Sequence, residues 1–205
     1  MSFLILAKGF TLTLSMIVPI GTQNSMLLTQ GISKNHHKMT AALFILYDAI
    51  LISIGVLGGS LVLASSDSLF TVLTWGGILF LGVYGALSMK LAYSQQHNNA
   101  LITQKKSVKL VLFTSLAVTF LNPHAYIDTV MIIGSVGGQY TGDAKLFFLV
   151  GAILGSVVWF SCLATGAATL SSYLSQPKVK RVIDVLIALV MWGIAWSLYS
   201  AWLAR

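Results

Sequence analysis

Six long apolar runs constrain this chain more than any other feature of its sequence. They lie near residues 3–28, 39–64, 68–93, 108–135, 146–171 and 179–203. Each is long enough for a helix to cross the hydrocarbon core of a bilayer, which takes about 20 apolar residues. Only 8% of the residues are charged, whereas a soluble domain has about 25%. The sequence therefore predicts an all-α polytopic membrane protein with six transmembrane helices.

Polar residues and a proline interrupt the fourth run, which reads Phe120-Leu-Asn-Pro-His-Ala-Tyr-Ile-Asp128. Pro123 has no backbone N–H and its ring clashes with the preceding turn, so the helix should kink and free carbonyl groups near 119–122. Such groups are tolerated in a membrane only against protein or a water-filled cavity. Asp128 needs the same protection, because a charge at the bilayer centre costs about 3 kcal/mol. We expect a functional site here; the alternative is a proline kink with a protonated, structural aspartate.

A second break is expected in the first run, at Pro19-Ile-Gly-Thr-Gln-Asn24. Pro19 weakens the helix, and Gly21 permits backbone angles that other residues avoid. Gln23 and Asn24 bring hydrogen-bonding side chains to membrane depth. The alternative is a helix that ends near Ile17 with a polar cap.

The two breaks occupy corresponding positions in the two halves of the chain. A shift of 104 residues places Pro19 on Pro123 and Asn24 on Asp128. A polar linker, 94–107, separates two half-repeats, 1–93 and 108–205, which hold three runs each. With three spans per half, the second half enters the membrane from the opposite side. We therefore predict one transmembrane domain, 1–205, built from two inverted three-helix repeats with broken first and fourth helices, an arrangement that marks midplane sites in transporters.

The distribution of basic residues predicts the orientation. Nine of the twelve Lys and Arg residues lie in or beside the loops between runs one and two, three and four, and five and six. Basic loops favour the cytoplasmic side and contact anionic lipid. These three loops are thus predicted to be cytoplasmic, and the +7 net charge gives no reason to expect nucleic-acid binding. The first segment could also re-enter the membrane without crossing it.

The sequence gives little support for enzyme chemistry. A single cysteine, Cys162, excludes an intramolecular disulfide and is expected to be a small buried hydrophobe. No metal, redox or nucleotide motif occurs, so we expect no cofactor. His124 and Asp128 are one helical turn apart, but no Ser or Cys nucleophile can be assigned to them. A membrane enzyme and a passive channel remain as alternatives to a coupled transporter.

The chain resembles the LysE/ArgO-type basic amino-acid exporters along nearly its whole length. The matching segments are Pro19 to Asn24, Gln30-Gly31, Asp48, Trp75-Gly-Gly77, and Leu121 to Asp128 with Gly134 to Gln139 behind it. The family's first motif usually reads Pro-x-Gly-Pro-x-Asn; here Thr22 replaces its second proline, which puts the geometry of the first break in doubt. The resemblance implies export of L-arginine or L-lysine across a bacterial inner membrane, coupled to the proton-motive force as antiport.

The residues themselves agree with a cationic substrate. Asp48 and Asp128 are the only acids well inside the apolar runs, and a carboxylate there can bind a cation or exchange a proton. We expect Asp128 to hold the cationic group and Asp48, with fewer local partners, to carry chiefly the proton. The other expected site residues are Gln23, Asn24, Asn122, His124 and Tyr126, with helix breaks at Pro19, Gly21 and Pro123.

Several points stay open in the sequence. The substrate could be another amino acid or small metabolite, with both acids serving protons only. The preference between arginine and lysine, the proton stoichiometry and the formation of a homodimer are not determined.

Overall fold

A computed structural model of the protein describes residues 2–19, 21–59, 67–93, 107–122 and 125–203. Helices make up the described chain, and none of its residues lies in a strand. In order they are α1 (Ser2–Ile17), α2 (Thr22–Ile32), α3 (His37–Ile54), α4 (Asp67–Tyr93), α5 (Val108–Phe120), α6 (Tyr126–Ile133), α7 (Gly134–Gly138), α8 (Asp143–Thr169), α9 (Ser171–Leu174) and α10 (Pro177–Leu203). A π-helical segment, Gly55–Gly59, follows α3 and is kinked at Gly58, where φ is +119°. Helix α6 is itself π-helical.

The helix lengths define a multi-pass membrane protein. Four segments of the described chain are long and apolar enough to cross a membrane: His37–Gly58, Thr74–Tyr93, Asp143–Thr169 and Pro177–Ser200. A fifth span results if α1 and α2, which meet at a bend of 77°, are counted together. The fourth apolar run is divided into α5 and the segment Tyr126–Gly138, each shorter than a span. The all-α membrane class is confirmed, whereas the count of six spans and the inverted repeat stay predictions.

The first run is broken where the sequence predicts it. Helix α1 ends at Ile17, just before Pro19, and α2 begins at Thr22. The Nδ2 of Asn24 donates to the backbone oxygens of Ile17 (2.6 Å) and Pro19 (2.8 Å), so the carbonyls freed at this break have a partner.

The fourth run is interrupted after Phe120. The N–H of Leu121 closes the last turn of α5 on Ala117 O, and the hydroxyl of Tyr126 donates to Phe120 O at 3.1 Å. Pro123 and His124 lie outside the described residues, as does the linker 94–107 apart from Ser107, whose Oγ caps the start of α5.

Close backbone contacts fix how α1 packs on α8. A Cβ added at Gly9 would collide with the backbone oxygen of Phe148, and one at Gly151 with that of Leu6. A Cβ added at Gly155 would lie only 2.9 Å from the backbone oxygen of Phe10. Small residues allow membrane helices to approach this closely.

Helices from one half of the chain pack against helices from the other half. Helices α1 and α2 of the first run pack on α8 of the fifth, while α3 and the π-helical segment after it, from the second run, pack on α5, α6 and α7 of the fourth. The third and sixth runs, α4 and α10, pack on each other. Helix α3 also packs on α8, and α2 on α5. These contacts are compatible with a twofold relation between the halves, but the inverted repeat stays a prediction.

The core lies where α2, α3, α5 and α8 meet. Phe44 of α3 and Phe160 of α8 are fully buried there, with ring centroids 5.5 Å apart. The outer faces of the helices expose many large apolar side chains, as lipid contact requires. Cys162 is on such a face: it is exposed, so the expectation that it is buried was wrong.

Candidate functional site

The two helix breaks meet through Thr22 and Asn122. The hydroxyl of Thr22 donates to Val118 O at 3.2 Å and accepts from Asn122 Nδ2 at 3.0 Å. Both side chains are buried. Thr22 is the first helical residue of α2, a position that suits proline, but a proline has no hydroxyl. Thr22, which departs from the family motif, therefore links the two breaks through hydrogen bonds.

A cavity lies between the breaks. It is lined by Met16, Ile17, Pro19, Gly21, Thr22, Gln23, Asn24, Asn122, Ala125, Asp128, Thr129 and Ile194. One wall is the start of α2, whose N-cap residue Gly21 provides no side-chain cap for the first N–H groups of the helix. The only ionisable side chain among the described lining residues is that of Asp128.

The absence of a side chain at Gly21 leaves space at the cavity wall. The backbone of Gly21 is extended, with φ −116° and ψ −169°, so the unusual angles that glycine permits are not used here. A Cβ at this position would meet no atom within 4 Å. The glycine thus leaves open space in the wall.

Asp48 lies behind this wall and does not line the cavity. It is 1% exposed. Gln23 Nε2 donates to its Oδ1 at 3.2 Å and Ser156 Oγ donates to its Oδ2 at 3.0 Å. Asp48 has few local partners, as expected, but two donors reach it from α2 and α8, 25 and 108 residues away in sequence. Two donors stabilise the carboxylate where water is excluded.

Gln23 joins Asp48 to the cavity. Its Nε2 also donates to Thr119 Oγ1 at 3.1 Å, while Thr119 donates its own hydrogen to Ser115 O at 3.0 Å. Since Gln23 lines the cavity as well, one residue borders the open space and hydrogen-bonds the buried carboxylate.

Asn24 and Tyr126 hold the breaks in place. The amide of Asn24 donates to two carbonyls of the first break, and its Oδ1 accepts from Trp159 Nε1 at 3.0 Å. Asn24 lines the cavity, but its amide is already occupied. Tyr126 bonds Phe120 O and lies outside the cavity lining.

The structure brings together most of the side chains expected from the sequence. Pro19, Gly21, Gln23, Asn24, Asn122 and Asp128 share one cavity, Asp48 lies directly behind it, and Tyr126 supports the second break. Pro123 and His124 lie outside the described residues.

Sequence reasoning missed Thr119, Ser156, Trp159 and Thr129. Ser156 was detectable: it lies one helical turn after Ala152, which the 104-residue shift places opposite Asp48, so both face the same side of α8. Within the described ranges, no group of three or more His, Cys, Asp or Glu side chains comes together as a metal site.

Several membrane-spanning helices, two breaks and a polar cavity between them define a membrane transporter, since substrate sites in such proteins lie at broken helices. The chain belongs to the LysE type translocator family, whose model matches residues 14–201. It is thus a transporter and not an enzyme.

Individual relatives match over nearly the whole chain. A putative amino-acid transporter YggA of Aeromonas salmonicida is 47% identical, with 94% of each chain covered. The arginine exporter protein ArgO of Serratia proteamaculans is 43% identical, with 95% of each chain covered. The arginine exporter protein ArgO of Pectobacterium carotovorum is 42% identical, and the alignment covers 96% of this chain and 97% of the relative. No solved structure matches the chain.

Proposed function

We propose that the protein exports basic L-amino acids, arginine above all and lysine as well, from the cytoplasm across the bacterial inner membrane in exchange for protons. The observation that carries this proposal is the carboxylate of Asp128 in the cavity between the two breaks. A carboxylate that lines a cavity at membrane depth can bind a cation or exchange a proton there. Relatives named arginine exporters, 42–43% identical, support arginine as the substrate.

The cavity suits both ends of an amino acid. Asp128 provides the negative charge for an ammonium or guanidinium group. The start of α2, where the N-cap residue Gly21 provides no side-chain cap, is the positive end of a helix dipole, which favours a carboxylate. A simple cation would use only the first of these features.

Export of a cation needs an energy source. Moving one positive charge outward against an inside-negative potential costs about 2.3 kcal/mol per 100 mV. Exchange of one substrate cation for one proton cancels this electrical cost. Asp48 is our proposed proton site, because it is buried, held by two donors, and separated from the substrate cavity by Gln23.

Transport by the purified protein tests this proposal. Proteoliposomes loaded with labelled arginine or lysine should release it faster when an imposed pH gradient drives protons inward. Asp128→Asn should slow release strongly. The matched control is Asp143→Asn, at the exposed start of α8, which should release at the wild-type rate. Release unaffected by the gradient would contradict antiport. Transport of neutral amino acids alone would favour a different substrate, which the name of the Aeromonas salmonicida relative leaves open.

The proposed direction requires cytoplasmic basic loops. In a variant that lacks Cys162, cysteines introduced as Gln96→Cys or Gln176→Cys should resist an impermeant thiol reagent in intact cells, whereas Ser66→Cys should be labelled. The opposite labelling would reverse the orientation, and a mixed pattern would indicate a re-entrant first segment.

A further inference from the structure

Gln23 lies between two environments. The residue lines the cavity that contains Asp128, and its Nε2 hydrogen-bonds Asp48 behind the wall. The other donor to Asp48, Ser156, is not part of the cavity. Among the residues that the structure describes, Gln23 alone both lines the cavity and hydrogen-bonds Asp48.

The neighbours of Gln23 fix which way its amide points. Thr119 gives its single hydroxyl hydrogen to Ser115 O, so it can only accept from Gln23. A charged Asp48 can also only accept. Nε2 therefore faces both of them, and in the described part of the chain nothing donates to Oε1. This oxygen is the end of the amide that remains for a further partner.

We propose that Gln23 is the positioning residue that couples protonation of Asp48 to cation binding in the cavity, an inference that rests on the proposed function. When a proton from water binds Asp48 Oδ1, the carboxyl gains an O–H donor where Nε2 already donates. The amide turns about its Cγ–Cδ bond and offers Oε1 to the new O–H. Thr119 follows by turning its hydroxyl from Ser115 O to the same oxygen.

The rotation changes the chemistry of the cavity wall. Nε2, a donor, replaces Oε1, an acceptor, as the end that remains for a further partner. A donor disfavours an ammonium or guanidinium group, which carries only donors itself. A proton on Asp48 and a cation beside Asp128 then exclude each other, as antiport requires, although the two carboxylates do not share the cavity.

Other titratable groups could also create a pH dependence. Helix α2 has none. Those on the other elements packed around Asp48 are His37, Lys38 and Tyr47 on α3, Lys109 on α5, Tyr126 and Asp128 on α6, and Asp143, Lys145 and Cys162 on α8. Of these only Asp128 lines the cavity, so the experiment has to distinguish coupling through Gln23 from titration of Asp128.

Infrared difference spectra of the purified full chain, stepped from pH 8 to pH 6 without substrate, measure the rotation directly. The wild type should gain a carboxylic-acid band together with a shifted side-chain amide band. Asp48→Asn should remove both bands. Gln23→Leu should remove the amide band and keep the carboxylic-acid band. An amide band unchanged in Gln23→Leu would overturn the proposal.

Equilibrium binding of labelled arginine between pH 6 and pH 8 measures the consequence. Wild-type affinity should fall as the pH falls, by at most about tenfold per pH unit for one linked proton. Gln23→Leu should flatten this profile. The control Ser156→Ala, which contacts Asp48 outside the cavity, should move the profile along the pH axis without flattening it.

The two measurements separate the inference from the proposed function. If Gln23→Leu fails to fold, Gln23→Met keeps the side-chain length and Thr119→Val loosens the amide; both should flatten the profile. Full pH dependence in folded Gln23 variants, with its loss in Asp48→Asn, would refute the coupling. If the wild type binds neither arginine nor lysine, the proposed function fails, and the infrared spectra still decide whether Gln23 follows Asp48.

Discussion

Gly21 allows a test of whether the cavity holds the substrate, because the residue can be enlarged without disturbing the fold. The backbone at Gly21 is extended, and a Cβ there meets nothing within 4 Å. Alanine in a compatible conformation stabilises by about 0.4–1 kcal/mol through the unfolded chain, and the loss of glycine at an N-cap costs a similar amount. The net change in the free energy of unfolding from Gly21→Ala should be close to zero.

Binding should respond differently. Gly21 lines the cavity in which we place the substrate, and overpacking a filled site costs about 1–3 kcal/mol. Affinity for arginine should therefore fall roughly 5- to 150-fold. Gly21→Val should weaken binding further without further loss of stability.

The assay combines arginine binding with thermal unfolding of the same purified protein. Gly166→Ala and Gly166→Val on α8 are matched controls, since a Cβ at Gly166 also meets nothing within 4 Å and this glycine does not line the cavity. Both should bind arginine as the wild type does. Wild-type affinity in Gly21→Val would refute the placement of the substrate, and a large drop in unfolding temperature would contradict the open space beside Gly21.

Three further predictions test other parts of the site and the fold. Asp128→Asn should weaken arginine binding at every pH by roughly 10- to 100-fold, because it removes one charge-assisted hydrogen bond of about 1.5–3 kcal/mol. Asp48→Asn should keep arginine binding and lose the pH dependence of efflux. The opposite result in reconstituted vesicles would exchange the roles of the two aspartates. Thr22→Val should lower the free energy of unfolding by about 1–3 kcal/mol, because Val118 O loses its donor, and an unchanged thermal transition would show that the link between the breaks is dispensable. Gly9→Ala should reduce the amount of folded protein in membranes, since the new Cβ meets backbone on α8; wild-type abundance would contradict this packing.

The helices were largely predictable from the sequence, because apolar length sets where a span can lie. The third run, predicted at 68–93, is found as α4 at Asp67–Tyr93. The break after Ile17 was predictable for a local reason, the ring of Pro19 and its missing N–H. Local chemistry of this kind can be read without knowledge of the neighbours.

The partners of the buried groups could not be read in this way. Ser156 is 108 residues from Asp48, and only packing of α8 on α3 brings the two together. Whether an apolar residue is buried in the protein or faces lipid could not be predicted either, as Cys162 illustrates. Lipid-facing and core-facing positions of a membrane helix are equally apolar. Hydrophobicity therefore did not distinguish the two faces of α8.

The glycine contacts between α1 and α8 limit how the cavity can open alternately to the two sides. Gly9 and Gly151 each face the backbone of the other helix. A slide of one residue, about 1.5 Å, would bring a larger side chain to a place with no room for a methyl group. The two helices should therefore move together as one rigid body. Helix α2 is held on α8 in the same way, since a Cβ at Gly31 would collide with the side chain of Ala167. Any reorientation of α8 would therefore have to carry both halves of the first run with it.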